Sequence, residues 1–358
     1  MIAGKVMVAM SGGVDSSVAA WLLAERGCTC LGVTLKLFAN QDIGISREKT
    51  CCSLRDAEDA RRVAQQVGIP FYVLNFTNIF KEQVMDRFVD AYSQAITPNP
   101  CIDCNRYIKF DRLLQRALVL GHDYLATGHY ARIEFDARKG RYLLKKGLDQ
   151  AKDQSYVLYS LTQAQLAKII FPLGEMTKRQ IRAIALQQNF ANAAKHDSQD
   201  ICFVPDGDYA RFIEDYRRQA SAKGYFTDRQ GHILGEHRGI IHYTIGQRRG
   251  LNLALGKPVY VCAINARENT VVVDDASALY SQTVIAKDIN LIAWEKIDRP
   301  LTVKARLRYR HREQPAQVWQ LDENSLRIEF EQPQRAVTKG QAVVLYDDDI
   351  VIGGGTIA

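Results

Sequence analysis

The chain has 358 residues, 47% of them hydrophobic and 24% charged, an ordinary globular composition that is too long for one core and reads as two or three domains. It contains no apolar run of about 18 residues, which excludes a conventional membrane helix, and no internal repeat or low-complexity segment. Lys plus Arg exceed Asp plus Glu by 47 to 40, an excess compatible with a polyanionic partner that does not by itself identify one.

The first residues, MIAGKVMVAM, lack the features of a secretory leader and run straight into strand-like alternation, so the expected location is the cytoplasm, with no membrane partner. "KVMVAM" reads as a buried parallel strand, and "SVAAWLLAERG" after a glycine turn reads as a helix ending at Gly27. "TCLGVTLKLF" is the next strand, and "SLRDAEDARRVAQQVGI" an amphipathic helix with Ser53 as a candidate cap. "PFYVLNF" is a third strand. A helix from about Ile79 to Ile96, a loop "TPNPCIDCN", a helix "FDRLLQRALVLG" and a strand "DYLATGHY" come after it. Alternating strands and helices predict an α/β fold, a doubly wound parallel sheet with ligands at the carboxyl ends of its strands.

The pattern then changes. Residues 133–148 read as a hairpin, 155–190 as helical, and "SQDICFVP" as a loop entering a short strand. A mixed, Gly-rich stretch is next, and beyond residue 280 strand-length segments recur between turn residues, predicting a small antiparallel β-barrel. The expected domains are 1–205, a small central domain at 206–278, and a C-terminal barrel at 279–358. In "KARLRYRHRE" a strand would project a row of cations from one face, suited to phosphates, although such runs are commonly solvated faces.

The turn Ser11-Gly12-Gly13-Val14-Asp15-Ser16-Ser17 lies between a buried strand and a helix, where backbone amides and the helix dipole bind anions. Ser11, Ser16 and Ser17 offer hydroxyl donors, and Asp15 either orders the turn or holds Mg²⁺. The Gly-Lys-Ser/Thr ending of a Walker loop is missing, so γ-phosphate transfer is not implied. The eight cysteines are read as fillers, metal ligands or reactive thiols rather than a disulfide framework. Cys28, Cys30 and Cys262 have core-like surroundings, whereas Cys51, Cys52, Cys101, Cys104 and Cys202 do not. Arg106 and Lys109 beside Cys104 are expected to favour its thiolate.

The string SGGVDS after the first strand resembles the pyrophosphate loop of the ATP pyrophosphatase superfamily, adenine nucleotide alpha hydrolase-like in fold. "CNRYIKF", "ATGHYA", "KDQSYVL", "SQDICF", "HYTIGQRRGL", "GKPVYV" and "GGGTI" occur in the order seen in the bacterial tRNA-specific 2-thiouridylase family, a resemblance that runs from Met10 to Ile357. It implies ATP-dependent adenylation of the C2 oxygen of the wobble uridine in tRNA, followed by replacement of that oxygen by sulfur. It also implies a nucleotide site at Ala9, Met10, Ser11, Gly12, Gly13, Val14, Asp15, Ser16, Ser17, Leu35 and Gly128. Cys202 would receive sulfur as a persulfide from a sulfur-relay protein, and Cys104 would complete the transfer, leaving a Cys104–Cys202 disulfide to be reduced; both thiol pKa values are expected to be lowered. Asp200 is a candidate acid or base, or a cap.

For tRNA, the resemblance implies contacts by Asn99, Pro100 and Cys101 with the target base and by His129, Lys152, Asp153 and Gln154 with the anticodon arm. In the barrel it implies Arg308, Tyr309 and Gln341. Where many relatives carry Asn-Pro-Asp this chain has Asn99-Pro100-Cys101, which creates Cys101-x-x-Cys104. Cys101, Cys104 and Cys202 are therefore an alternative iron–sulfur ligand set, able to carry sulfide without a persulfide. For Cys51 and Cys52 the reading is a lid or substrate-facing loop.

Overall fold

The computed structural model describes residues 4–39, 52–195 and 200–358, except for the side chains of residues 52 and 53. β1 (Lys5–Ala9) buries Val6, Met7 and Val8 completely, so both its faces are covered, as in the centre of a parallel sheet. The glycine turn leads into α1 (Val14–Glu25), which buries Val14, Val18, Ala19 and Leu23. The chain continues through β2 (Thr29–Lys36), α2 (Cys52–Val67) and β3 (Phe71–Asn75). Two long helical runs succeed them. One spans residues 77–93 with a π-helical middle at Lys81–Asp86, and the other spans 100–119 with a π-helical middle at Cys104–Leu113. β4 (Tyr124–Thr127), the hairpin strands β5 (Ala131–Asp136) and β6 (Arg141–Lys146), and β7 (Ile169–Ile170) come next.

The parallel sheet has the order β3-β2-β1-β4-β7. The chain winds outward from β1 through β2 to β3, then crosses back to lay β4 on the other flank of β1. The β1/β4 seam is therefore the switch point where an open α/β sheet leaves a crevice beyond its carboxyl ends.

Three sequence expectations need correction. Residues 97–105 are not a loop throughout: Asn99 accepts from the Cys101 N–H at 3.2 Å and Pro100 takes the first helical position, so the helix starts there and carries Cys101 and Cys104 on it. An Asn cap followed by Pro is a helix-start signal that was masked by the density of turn residues. Residues 155–190 are not continuously helical, because Pro172 and Gly174 interrupt them. Ile169–Ile170 instead forms the fifth parallel strand, and an α-helix occupies only Lys178–Gln187, apart from short turns at Ser155–Leu158 and Gln163–Leu166. Residues 200–206 run as turns without a strand.

After a helix at Tyr209–Arg217, the central region forms β8 (Gly224–Thr227), β9 (Ile233–His237), β10 (Tyr260–Asn265) and β11 (Thr270–Asp274), ordered β10-β11-β8-β9 around Phe226, Tyr243, Val261 and Val271. The C-terminal region contains β12 (Tyr280–Leu291), β13 (Leu301–Arg306), β14 (Gln314–Asp322), β15 (Ser325–Arg335), β16 (Ala342–Asp347) and β17 (Ile350–Ile357). β12 pairs with both β15 and β17, which closes a six-stranded antiparallel barrel. β6 pairs with β17 through Val351–Leu144, so the hairpin of the first domain extends the barrel's sheet. The expected cationic strand is shorter than its sequence suggests: β13 stops at Arg306, and residues 307–312 turn back, with the His311 N–H donating to the Arg308 carbonyl.

Candidate active site

The glycine turn sits at the β1/β4 seam. Gly12 adopts φ +72°, and a Cβ there would lie 2.2 Å from the Asp56 carbonyl oxygen, so the position admits only glycine without displacing α2. Gly13 occupies the N-cap of α1, but no side chain caps the helix. The first-turn amides consequently stay available to an anion. Two of the serines read as ligand donors turn inward instead: Ser16 and Ser17 donate to the Gly13 carbonyl at 3.1 and 3.0 Å, and both are buried. Ser11 remains exposed, with its N–H donating to Ser16 Oγ at 3.1 Å. Ala9 and Met10 end the strand beneath the turn, with Met10 buried. Leu35 lies half-buried near the carboxyl end of β2. Gly128 abuts the helix entrance, since a Cβ there would lie 2.8 Å from the Ser16 nitrogen.

Residues far along the chain brace this turn. Lys178 Nζ lies 2.8 Å from both Asp15 carboxylate oxygens, and the Tyr130 hydroxyl donates to Asp15 at 2.6 Å. Lys195 Nζ reaches the Gly12 carbonyl at 3.1 Å, Asp56 at 2.5 Å and Asp59 at 2.8 Å, while Asn192 donates to the Gly12 carbonyl and to Ser17 Oγ. Arg55, Asp56, Asp59, Asn192 and Lys195 line a cleft of about 390 Å³ beside the turn. Sequence reading missed Lys178, Asn192 and Lys195, because nothing in the linear chain ties them to residues 12–15. Asp15 orders the turn through Lys178, and the single ammonium of Lys195 bridges the carboxylates of Asp56 and Asp59. With both its oxygens committed to Lys178, Asp15 does not fit as a Mg²⁺ ligand at the turn.

The cysteines converge on the carboxyl end of the same sheet. Cys104 belongs to an apolar cluster with Phe80, Phe88, Ile108 and Phe203, against which Leu35, Leu37 and Phe38 at the end of β2 pack. Phe203 meets Phe88 edge-on at 5.3 Å and Phe80 at 5.8 Å, which anchors the segment carrying Cys202. Cys101 and Cys202 are exposed and Cys104 is buried; all three are free thiols. Asp200 accepts from the Tyr209 hydroxyl at 2.8 Å and from the Ile201 N–H, so it ties this turn to the helix after it.

The expected low thiol pKa values are not found. Although Cys202 keeps an exposed surface, the protein packed around its sulfur disfavours the thiolate and pushes it up to about 12, with the Cys104 and Cys101 sulfurs adding to the effect. Burial raises Cys104, and the crowding of protein around the Cys101 sulfur raises it in the same direction despite its exposed surface, while the charge of Lys109 pulls the other way at all three sulfurs. Arg106 pairs in a two-pronged contact with Asp288 of the barrel rather than with Cys104. Alkylation of Cys202 by iodoacetamide, followed by peptide mass spectrometry, is therefore expected to accelerate about tenfold per pH unit with no plateau below about pH 10. A plateau near neutrality would show that the folded protein stabilises the thiolate.

Among the described residues, no group of three or more His, Cys, Asp or Glu is arranged to hold a metal ion. The Cys101, Cys104, Cys202 set does not fit a cluster in this arrangement. Cys51 and the side chain of Cys52 lie outside the described residues. Cys28 and Cys30 are buried and Cys262 half-buried, as core residues.

The residues read as tRNA contacts divide sharply. Pro100 is buried and Asn99 caps its own helix. His129 is enclosed by Phe110 and Phe171 and hydrogen-bonded to Thr127 at 2.6 Å; burial, aided by Lys109, holds its imidazole well below its ordinary value. Asp153 is buried, accepting from Gly147 and Ser155 and facing Arg306 at 3.5 Å, and Gln154 accepts from the Tyr130 N–H. Arg308 donates to Ala336 and Thr338 of the barrel, and Gln341 to the carbonyls of Thr97 and Pro98. Each of these side chains makes at least one hydrogen bond or close packing contact within the chain itself. Cys101 and Tyr309 are exposed and Lys152 is half-buried, and Cys101 lies close enough to Tyr309 to act on its hydroxyl.

A glycine turn feeding an uncapped helix at the switch point of a parallel sheet defines a nucleotide-binding α/β domain, here joined to a small central sheet and a closed barrel. The family model described as a tRNA methyl transferase HUP domain matches residues 4–206, a tRNA methyl transferase PRC-barrel domain matches 210–275, and an aminomethyltransferase beta-barrel domain matches 281–357. The tRNA-specific 2-thiouridylase MnmA of Acetivibrio thermocellus is 52% identical over 354 residues, 99% of each chain. The enzyme of the same name from Clostridioides difficile is 50% identical over 353 residues, 99% of this chain and 98% of that one. The chain belongs to the tRNA-specific 2-thiouridylase family. A solved 4-thiouridine synthetase in complex with RNA and ATP is 21% identical over 56% of this chain and 45% of that one, with a TM-score of 0.35, too slight a likeness to support an inference.

Proposed function

We propose that this protein is an ATP-dependent tRNA sulfurtransferase that converts the wobble uridine to 2-thiouridine, with AMP and pyrophosphate as products. The observation that carries the reading is that Cys104, and Phe203 next to Cys202, share the apolar cluster at the carboxyl end of the sheet that also presents the uncapped α1 N-terminus, with the Cys104 sulfur near enough to act on Cys202. ATP enters as a substrate, its phosphates received by the turn at residues 11–17. The uridine O2 attacks the α-phosphorus, pyrophosphate leaves, and the oxygen becomes a leaving group as AMP.

Sulfur arrives on Cys202 as a persulfide delivered by a partner protein. The outer sulfur attacks C2 and AMP departs. The Cys104 thiolate then attacks the Cys202 sulfur, freeing the thiocarbonyl and forming a Cys104–Cys202 disulfide. The two electrons gained by the transferred sulfur are those lost by the two thiols, and an external dithiol resets the enzyme. Cys202 is exposed, which suits receipt of sulfur from a partner, while Cys104 is buried, which keeps the resolving thiol from premature oxidation. RNA-facing candidates are Cys101, Lys152 and Tyr309. An unstacked wobble base is the form in which an RNA loop is read by side chains.

The test supplies ATP, tRNA and a persulfide donor and counts products. One AMP and one pyrophosphate per 2-thiouridine are expected. Pyrophosphate release driven by a small acid without tRNA would assign the protein to an adenylating ligase instead.

A further inference from the structure

We infer that the C-terminal barrel positions the sulfur-transfer thiols, acting through Gly340 and Gln341 on the backbone at Thr97 and Pro98. The inference rests on the sulfur-transfer reading of Cys104 and Cys202 and adds to it a mechanical role for the barrel. Gln341 Nε2 donates to the Thr97 carbonyl at 2.9 Å and reaches the Pro98 carbonyl at 3.4 Å. The Thr97 N–H donates to the Lys339 carbonyl at 3.0 Å. Between these contacts Gly340, at φ +85°, lies so close that a Cβ would sit 2.2 Å from Ile96 Cγ2 and 3.0 Å from the Thr97 oxygen. The backbone groups of residues 97 and 98, which precede any regular element and would otherwise need water, are thus satisfied by the barrel.

The helix bearing the thiols begins directly after the latched segment. Asn99 caps it two residues after Thr97, and Cys101 and Cys104, three apart, share one face of it. Its other flank is held by the barrel as well, through the paired Arg106 and Asp288. The latch is itself braced from inside the barrel: Gly340 donates to the Ile357 carbonyl at 2.9 Å, Ile357 to the Gln341 carbonyl at 2.8 Å, and Arg308 to Ala336 and Thr338. Gln341, a residue whose family resemblance suggests an RNA contact, has its amide nitrogen committed to the chain's own carbonyls. An error of about 1 Å in the placement of a reacting group can cost roughly a hundredfold in rate. A thiol helix tethered by its N-terminal lead is open to such an error when the tether is cut.

The experiment compares wild type with Gln341→Glu, which keeps the shape but loses the donor, and with Gly340→Ala. Single-turnover thiolation from a preloaded Cys202 persulfide, tRNA affinity and ATP–pyrophosphate exchange are measured for each. A loss of roughly tenfold or more in the single-turnover rate at saturating tRNA is expected, with affinity and exchange within about twofold. Weakened tRNA binding with an unchanged rate at saturation would make Gln341 an RNA contact and overturn the inference, as would equal losses of exchange and thiolation. Should Gly340→Ala fail to fold, Gln341→Glu decides alone, because it adds no bulk to the latch and replaces its donor with a carboxylate that the two carbonyl oxygens repel. Failure of the wild-type protein to thiolate would instead defeat the functional reading.

Discussion

Cys202→Ser is expected to abolish 2-thiouridine formation, by at least roughly a thousandfold, while ATP–pyrophosphate exchange in the presence of tRNA continues near the wild-type rate. Serine has nearly the size of cysteine but cannot carry a sulfur atom in a state that a nucleophile can later release. The segment around residue 202 is held by Phe203, whose packing on Phe80 and Phe88 the substitution leaves intact. Cys202 is exposed, so no core contact is removed. The expected result is an enzyme that activates but does not transfer. Thiolated nucleoside measured in recovered tRNA decides the matter: retained 2-thiouridine would contradict the persulfide route.

The second large effect is expected at the glycine turn, on the earlier half of the reaction. Gly12→Ala should lower ATP–pyrophosphate exchange by about a hundredfold or more, since the new methyl group would stand 2.2 Å from the Asp56 carbonyl oxygen in a left-handed backbone conformation. Either the turn or the start of α2 must move, and both frame the cleft shared with Lys195. Gly13→Ala supplies the contrast. Gly13 has an extended φ of −89°, and its Cβ would meet only Ser11 Oγ at 3.5 Å, an ordinary contact, so the protein tolerates it. A Gly13→Ala variant that is as stable as wild type yet slow in exchange reports a phosphate lying against the turn. Exchange undiminished in both variants would remove the turn from the nucleotide site.

These two variants probe halves of the reaction whose residues were unequally legible in the sequence. The turn at residues 11–17 was readable because its function depends on local geometry: a buried strand, two glycines and a helix start are consecutive in the chain, and their consequence is an uncapped helix terminus. The alternation of β1, α1, β2, α2 and β3 and the strand rhythm of the barrel were readable for the same reason, since each element's hydrophobic period is its own. Misreadings fell where neighbours compete. Asn99 and Pro100 look like turn residues and start a helix, and the run from Lys304 to His311 alternates like a strand but leaves the sheet after Arg306.

What the amino-acid order pointed to by itself was a strand–glycine turn–helix start suited to an anion and a set of cysteines in polar sequence contexts, of which Cys104 is buried in an apolar cluster. Only the tertiary structure decided which residues serve them. Lys178 and Lys195 reach the turn from more than 160 residues away and pair with the carboxylates of Asp15, Asp56 and Asp59. Burial outweighs Lys109 and raises the thiols that local charge was expected to lower. His129, Asp153 and Gln341, read from the sequence as RNA contacts, hydrogen-bond to the protein's own polar groups. The physical reason is common to all three: desolvation and hydrogen-bond satisfaction depend on what surrounds a side chain in space, and a linear sequence records only its covalent neighbours.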